Sequence, residues 1–330
     1  MPANLTPQYQ KAEEEYRRAQ NPEEQIQCLE RMLTLIPKHK GTEKLQADLK
    51  TRLKETRGAA ELEAKSPKKV GKSYRYPRQG AGQVVLLGGP NAGKSRILAE
   101  LTKATPEVAP YPFTTREPLP GMMAWEDVAV QLIDTPPITD SHFEPYLTSI
   151  VRSVDLTLLA FDGSSDDAPD QTMDVVRQLA SRKTVLASQS GFADEDFSTV
   201  KVQTRLVATR ADDSGCDDRL AYLKEGMPHD FPLLKVEFDQ PESREALRRA
   251  VYDALGLIRI YTKRPGRPAE LDSPFTIPLG GTVDDLAVRV HRDMAEQLKF
   301  AKVWGTSARD GQSVGRDHAL ADKDVVELHW

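Results

Sequence analysis

The chain has 330 residues, of which 39% are hydrophobic and 29% charged, and its formal net charge is −5. This length suits two or three domains, and the composition fits a globular protein with a polar surface. No apolar run approaches the roughly 20 residues that span a bilayer, and the polar start is typical of neither a signal peptide nor a transit peptide. Cys28 and Cys216 are the only cysteines. We therefore expect a cytoplasmic protein without a disulfide framework or a zinc site, in which any nucleic-acid contact comes from local patches.

Residues 1–60 are predicted to form a helical arm. Thr6-Pro7 and Asn21-Pro22 are both a capping residue followed by proline, which is typical of a helix start. A third helix is expected from about Thr42. Each apolar stripe is narrow, so we expect a small core and an arm that leans on another part of the protein.

Residues 61–80 are predicted to be a basic linker, with six basic residues and no acidic residue between Lys65 and Gly80. One interpretation is a solvated linker. The other is contact with an RNA backbone, in which basic side chains bind phosphates and the interleaved tyrosines stack on unpaired bases. The candidate contacts are Lys68, Lys69, Lys72, Arg75 and Arg78.

Residues 81–255 alternate short apolar runs with helical patterns, which predicts an α/β fold with a mainly parallel sheet. "GMMAW" and "VAVQLID" read as two strands joined by a tight turn. Residues 256–330 change to the order strand, strand, helix, strand, strand, with the helix capped at Thr282. This order predicts a small domain of the β-grasp, ubiquitin-like type.

The stretch "GGPNAGKS" matches the phosphate-binding loop (P-loop) pattern and lies between a predicted strand and a predicted helix. Backbone N–H groups must curl around a β-phosphate in such a loop, and the helix directs its positive end at the anion. Lys94 is expected to reach the β- and γ-phosphates, and Ser95 to offer its hydroxyl to Mg²⁺. The predicted nucleotide-binding residues here are Gly88, Gly89, Pro90, Asn91, Ala92, Gly93, Lys94, Ser95 and Arg96.

Two further segments are candidates for binding magnesium. "PYPFTTREP" follows the first helix of the α/β region, and we expect Thr115 to be a ligand of the ion, with Thr114 as the alternative. Asp134 ends a predicted buried strand, where a carboxylate suits a magnesium-bound water. The predicted metal-binding residues are therefore Ser95, Thr115 and Asp134.

The segment "VATRAD" is the candidate for base recognition, with Thr209, Arg210 and Asp212. A carboxylate at Asp212 can accept hydrogen bonds from both N1 and N2 of guanine, and adenine offers no matching pair of donors. The segment departs from the common Asn-Lys-x-Asp pattern at Thr209 and Arg210, and arginine is not equivalent to lysine. The sequence therefore predicts a preference for guanine with modest affinity.

The segment "LIDTPPI" places Pro137 where a nucleotide switch usually has glycine. That glycine donates its N–H to the γ-phosphate, whereas proline has no N–H and a fixed φ. One lost charge-assisted hydrogen bond corresponds to roughly 1.5–3 kcal/mol, or up to about a hundredfold in preference for the triphosphate. We therefore expect the GTP-bound and GDP-bound forms to differ less than usual in how well this segment is ordered.

Residues 83–255, with "YPFTT" and "GPNAGKS", resemble a translation-factor-class GTPase of the Obg branch. "RIYTKRPG", "FAKVWG" and "VGRDHALADKDVVELHW" resemble the C-terminal TGS domain of the developmentally regulated GTP-binding (DRG) proteins. The chain leaves little room for the inserted domain of eukaryotic DRG proteins, so the resemblance is to a DRG-like GTPase. It implies a Ras-like P-loop domain, hydrolysis of GTP to GDP by a slow molecular switch, and association with ribosome or RNA.

The resemblance also bears on catalysis. Ras-like enzymes place a glutamine where this chain has Ile138, and GTPases with a hydrophobic residue there include some that recruit K⁺ to supply the charge of an arginine finger. In that subgroup a P-loop asparagine helps to hold the ion, and Asn91 matches it. The predicted catalytic residues are Lys94, Thr115 and Asn91, the expected cofactors are Mg²⁺ and K⁺, and an activating protein partner is left open.

The C-terminal region contains a second basic cluster, Arg259, Lys263, Arg264 and Arg267. One interpretation is a plain solvated patch, and the other is contact with RNA. An alternative for the whole chain is a nucleotide-stabilised adaptor that binds RNA or the ribosome with little or no GTP turnover. Pro137 favours the adaptor, whereas Lys94, Ser95 and Asp134 favour the enzyme.

Overall fold

The computed structural model describes residues 6–19, 22–37, 42–65, 76–103, 117–192, 199–291 and 295–330. Its helices are α1 (Pro7–Arg18), α2 (Pro22–Leu35), α3 (Glu43–Lys65), α4 (Lys94–Leu101), α5 (Tyr146–Ser153), α6 (Ala168–Ala180), α7 (Cys216–Gly226), α8 (Pro241–Ala254) and α9 (Val283–Val290). The first eight strands are β1 (Gln83–Leu87), β2 (Leu119–Trp125), β3 (Val128–Asp134), β4 (Leu156–Asp162), β5 (Thr184–Ala187), β6 (Gly191–Phe192), β7 (Val200–Thr209) and β8 (Leu233–Val236). The last five are β9 (Leu257–Lys263), β10 (Ala269–Pro278), β11 (Phe300–Trp304), β12 (Gln312–Val314) and β13 (Asp324–His329). Within these segments no helix is both long and apolar enough to cross a membrane.

The first three helices pack together around a small core that contains Tyr9, Leu29 and Leu49. Thr6 caps α1 by accepting a hydrogen bond from the Tyr9 amide at 3.2 Å, because a hydroxyl at this position satisfies an amide that has no partner within the helix. The third helix is longer than the sequence suggested and ends at Lys65. The predicted domain boundaries themselves stay predictions.

The helical arm packs against the α/β domain. The ring of Tyr16 lies 6.0 Å from that of Phe192. The guanidinium of Arg52 lies 5.4 Å from the Tyr16 ring centroid and 5.5 Å from the Phe192 centroid. Cation–π contacts of this kind add to the apolar packing between the two parts.

Residues 83–236 form an eight-stranded sheet with the main order β2-β3-β1-β4-β7-β5. Among the described strands of this sheet, only β2 and β6 run antiparallel to their neighbours, and β5 and β8 pair with successive halves of β7. Helices cover both faces of this sheet, over two separate apolar clusters. The mainly parallel α/β fold that was predicted is confirmed, and β1, β3, β4 and β7 all direct their carboxyl ends to one edge.

The C-terminal domain is a five-stranded sheet of order β10-β9-β13-β11-β12 with α9 packed on one face. Its first and last long strands, β9 and β13, run parallel, as expected of a β-grasp fold. Thr282 and Asp285 form a reciprocal capping box at the start of α9. Strand β12, of three residues, is an addition to the predicted order.

Arg259 joins the two domains. It is 5% exposed, and it binds Asp322 of its own domain at 2.7 Å. Across the boundary it binds Glu126 and Asp127, which form the turn between β2 and β3. Burial of a guanidinium is favourable only when its N–H donors have hydrogen-bond partners, and here three carboxylates accept those hydrogen bonds.

Candidate nucleotide-binding site

The P-loop connects β1 to α4 through a turn that leaves no room for side chains at its glycines. Gly93 has φ +90°, and a Cβ atom on it would lie 2.8 Å from Cγ2 of Thr209. A Cβ on Gly88 would lie 2.8 Å from the carbonyl oxygen of Ala160. Asn91 adopts φ 56°, a left-handed conformation that asparagine tolerates better than most residues. The glycine positions predicted from the sequence are therefore required by the packing around the loop.

Lys94 is buried inside this turn. Its Nζ donates hydrogen bonds to the carbonyl oxygens of Gly88 at 3.1 Å and Gly89 at 2.8 Å. Burial lowers the pKa of Lys94 from its ordinary value to about 8, although the nearby carboxylate of Asp134 opposes the change. A bound phosphate would stabilise the charged ammonium, so phosphate binding and protonation of Lys94 are coupled.

Ser95 and Asp134 meet at the start of α4. Ser95 Oγ donates a hydrogen bond to Asp134 Oδ2 at 2.6 Å, and Asp134 is fully buried. The pairing of β1 with β3 sets this contact, since Leu86 lies opposite Asp134. A hydroxyl and a carboxylate side by side are the hard oxygen donors that Mg²⁺ prefers, so this donor set fits the ion.

The segment after Asp134 is held against the end of β1. Thr135 Oγ1 donates to the carbonyl oxygen of Leu86 at 2.6 Å, and the amide of Ile138 donates to that of Gly88 at 3.2 Å. Pro136 and Pro137 between them are buried. The side chain of Ile138 lies in the apolar core beside α5, so it does not face the P-loop.

Two side chains connect the predicted base-recognition turn to the P-loop. Thr209 Oγ1 lies 3.1 Å from the carbonyl oxygen of Ala92, and Nη2 of Arg210 donates to that of Asn91 at 2.7 Å. Arg210 also binds the carboxylate of Asp162, with Nε 2.7 Å from Oδ1. Asp212 is exposed, and within the described part of the chain its side chain has no hydrogen bond. Its carboxylate is therefore available to a base.

Comparison with known proteins identifies both domains. Residues 83–189 match the family described as 50S ribosome-binding GTPase, and residues 258–329 match the TGS domain. An uncharacterized GTP-binding protein of Methanocaldococcus jannaschii is 28% identical, over 93% of this chain and 92% of that protein. Developmentally-regulated G-protein 2 of Arabidopsis thaliana is 26% identical, over 92% of this chain and 90% of that protein.

The chain is a DRG-like GTPase of the Obg family. The solved structure of the Schizosaccharomyces pombe YchF GTPase matches 78% of this chain and 100% of that chain, with a TM-score of 0.50 and 12% sequence identity. That likeness supports the fold alone. The family predicted from the sequence motifs is confirmed, as is GTPase as the class of enzyme.

Several predicted site residues of this DRG-like GTPase lie outside the described residues. They are Thr114, Thr115, Lys68, Lys69, Lys72 and Arg75. Their roles stay predictions. Arg96, at the start of α4, pairs with Glu100 at 2.8 Å, one turn further along the same helix.

The structure corrects the prediction of RNA contact at Arg259, because its guanidinium is buried and bound by three carboxylates. Lys263 already has two partners within its own domain. Its ammonium lies 3.3 Å from the carboxylate of Glu327 and 4.1 Å from the centroid of the Trp304 ring. Arg264 is exposed. Arg78 donates to the carbonyl oxygen of Ser153 at 3.0 Å and also pairs with Asp155, so it fastens the linker to the GTPase domain.

Sequence reasoning missed Asp162, the partner of Arg210. The available signal was its place at the end of the buried run "LTLLAFD", at the same edge of the sheet as the P-loop and "VATRAD". The nearby Asp166, a more obvious acidic residue, instead pairs with Arg219 at 2.7 Å.

Proposed function

We propose that this DRG-like GTPase hydrolyses GTP to GDP and phosphate and acts as a slow molecular switch. The observation that carries the proposal is the cluster of Lys94, Ser95 and Asp134 at the start of α4. These three groups supply one positive charge and two oxygen donors beside a loop of backbone amides. This is the set of groups that binds a triphosphate with its metal ion.

Ser95 and Asp134 would hold Mg²⁺, with Thr115 as a further proposed ligand. When bound, the ion neutralises charge on the β- and γ-phosphates. Lys94 binds the same phosphates and stabilises charge that develops during transfer, and the P-loop amides hold them in position. The burial of Lys94 strengthens its interaction with an anion, because less water screens it.

The slow rate follows from Ile138. This residue stands where Ras-like enzymes have a glutamine, and its side chain is fully buried in the core, so it cannot orient an attacking water. We propose that K⁺, held in part by Asn91, or an activating protein partner supplies the missing charge.

We further propose a cytoplasmic role on the ribosome or on RNA. Support comes from the match of residues 83–189 to the family of 50S ribosome-binding GTPases and from the TGS domain beside it. Lys263 and Arg264 remain candidate contacts, together with the linker residues Lys68, Lys69, Lys72 and Arg75. Arg78 contributes mainly by fastening that linker to the GTPase domain.

The second candidate function is an adaptor that binds RNA or the ribosome with little turnover. The observation that favours it is the segment around Pro137, which Thr135 and Ile138 bind to the end of β1. A segment bound in this way has less freedom to respond to the γ-phosphate.

A single-turnover GTP assay with and without ribosomes tests the two. The enzyme should release phosphate in at least one sample, and Lys94→Ala should abolish the release. Absence of phosphate release from the wild type in both samples, with GTP shown to be bound, would leave the adaptor.

A further inference from the structure

Asp162 lies where the P-loop and the base-recognition turn approach each other. It ends β4 and is 7% exposed. Its Oδ1 accepts hydrogen bonds from the amide of Ser164 at 3.0 Å and from its hydroxyl at 2.9 Å. Two local donors therefore fix the carboxylate, and its remaining lone pairs are directed at Arg210.

Arg210 meets this carboxylate with two nitrogens. Nε donates to Oδ1 at 2.7 Å, and Nη2 binds Oδ2. The same Nη2 donates to the carbonyl oxygen of Asn91 in the P-loop at 2.7 Å. A planar guanidinium can make these contacts together, whereas the single nitrogen of lysine cannot span the carboxylate side-on and still reach the loop.

The backbone at Arg210 is itself constrained. Its φ of 50° is unfavourable for a residue with a side chain, so it persists only where the surroundings enforce it. The amide of Gly163, next to Asp162, donates to the carbonyl oxygen of Thr209 at 2.8 Å. The end of β4 thus holds both the backbone and the side chain of the turn that carries Asp212.

We propose that Asp162 is a positioning residue for guanine recognition, acting through Arg210. By fixing the guanidinium, it lays the aliphatic stem of Arg210 along the base plane and directs Asp212 to the N1 and N2 edge of guanine. The pair also accounts for arginine in place of the common lysine. The inference rests on GTP binding at this site and not on hydrolysis.

The test compares GDP with IDP. IDP lacks the 2-amino group, which in guanine is expected to donate a hydrogen bond to the carboxylate of Asp212. Dissociation constants are measured by calorimetry in Mg²⁺ for the wild type, Asp162→Asn and Asp166→Asn. Asp166 is the matched control, because it lies in the same loop, pairs with Arg219 and is 91% exposed. Asp162→Asn should weaken GDP binding about ten- to a hundredfold and bring the ratio of the GDP and IDP dissociation constants close to one. Asp166→Asn should change neither the GDP affinity nor this ratio.

A double mutant tests the route. If Asp162 acts through Arg210, the double variant Asp162→Asn/Arg210→Lys should weaken GDP binding no more than the more damaging of the two single variants does. An unchanged ratio of the GDP and IDP dissociation constants in Asp162→Asn, whether both nucleotides weaken equally or neither weakens, would overturn the proposal. Should Asp162→Asn fail to fold, as judged by its melting temperature, the same ratio measured on Arg210→Lys decides.

Discussion

Arg259 Nη1, in the first strand of the TGS domain, donates a hydrogen bond to Asp127 Oδ1 at 3.0 Å, in the turn between two strands of the GTPase domain. The hydroxyl of Tyr261, two residues further along the TGS strand, binds the other oxygen of the same carboxylate. Lys323 approaches the neighbouring Glu126 at 3.3 Å. One ionic joint therefore connects the domains, and its centre is a buried arginine.

Replacement of Arg259 by methionine should lower the free energy of unfolding by about 2 kcal/mol, because three carboxylates then lose their shared partner. The loss falls below that of a fully buried pair, since the side chains of Glu126 and Asp322 are 48% and 40% exposed. Urea unfolding measures it. Arg264→Met, an exposed residue of the same segment, is the control and should change the midpoint little. Equal midpoints for the two variants would contradict a stabilising joint.

The same joint predicts a dependence of stability on acid pH. Hydrogen bonds from Arg259 lower the pKa of Glu126, and they lower that of Asp322 despite the opposing effect of burial. Carboxyl groups with lowered folded-state pKa values contribute stability above their ordinary pKa of about 4, and that stability is lost as the pH falls through the folded-state values. Unfolding measured from pH 6 down to pH 3 should therefore show a steeper loss for the wild type than for Arg259→Met. Parallel curves would show that these carboxylates do not stabilise the fold.

Nucleotide affinity should depend on pH through Lys94. Its ammonium binds phosphate only when charged, and its pKa of about 8 lies near neutrality. The affinity for GDP should be nearly constant below pH 8 and fall at higher pH by up to about tenfold per unit. Calorimetry from pH 7 to pH 9 in two buffers of different ionisation enthalpy would detect the accompanying proton uptake. Lys94→Arg should bind more weakly without this dependence, because arginine stays charged. A flat wild-type profile would mean that Lys94 remains charged in the empty site.

Pro137→Gly should raise the preference for GTP over GDP by about tenfold or more, because it restores an N–H that can reach the γ-phosphate. The ratio of the two dissociation constants, with a non-hydrolysable GTP analogue, measures the effect. Pro136→Gly is the matched control, since it relaxes the same segment without supplying that donor. If the ratio stays unchanged in Pro137→Gly, the γ-phosphate finds its donor elsewhere.

Hydrolysis should be faster in K⁺ than in Na⁺ by about tenfold or more, since an added positive charge stabilises the transition state. Single-turnover rates at saturating GTP in the two salts measure the difference. Asn91→Gly removes the proposed side-chain ligand while tolerating the φ of 56°, so it should remove most of the advantage of K⁺. Equal wild-type rates in both salts would eliminate the potassium hypothesis.

Features encoded by neighbouring residues were the most predictable. The caps at Thr6 and Thr282 depend on donors within three residues along the chain, and both were predicted. Helix α7 was not predicted, because its N-cap residue, Gly215, makes no side-chain cap hydrogen bond, and the acidic Asp217 and Asp218 of its first turn were the main start signal. A basic sequence cluster likewise could not reveal that Arg259 is buried, since Asp127 lies 132 positions away.

The same limit applies within the nucleotide site. Lys94, Ser95 and Asp134 were predicted because their roles follow from motifs at fixed spacing. Asp162 and Arg210 are 48 positions apart, and only the adjacency of β4 and β7 brings them together. Such a pair depends on strand order, which the periodicity of the chain does not specify.

Strand β3 connects the contact around Arg259 to the nucleotide site. Asp127 stands immediately before the strand and Asp134 ends it, so seven residues of extended chain, about 23 Å, separate the contact with the TGS domain from the carboxylate beside Ser95. The strand is hydrogen-bonded to β1 on one side and β2 on the other, and it can neither stretch nor slip without a change of register. A displacement of the TGS domain that leaves the ion pairs of Arg259 intact is therefore passed along β3 to Asp134, beside the P-loop.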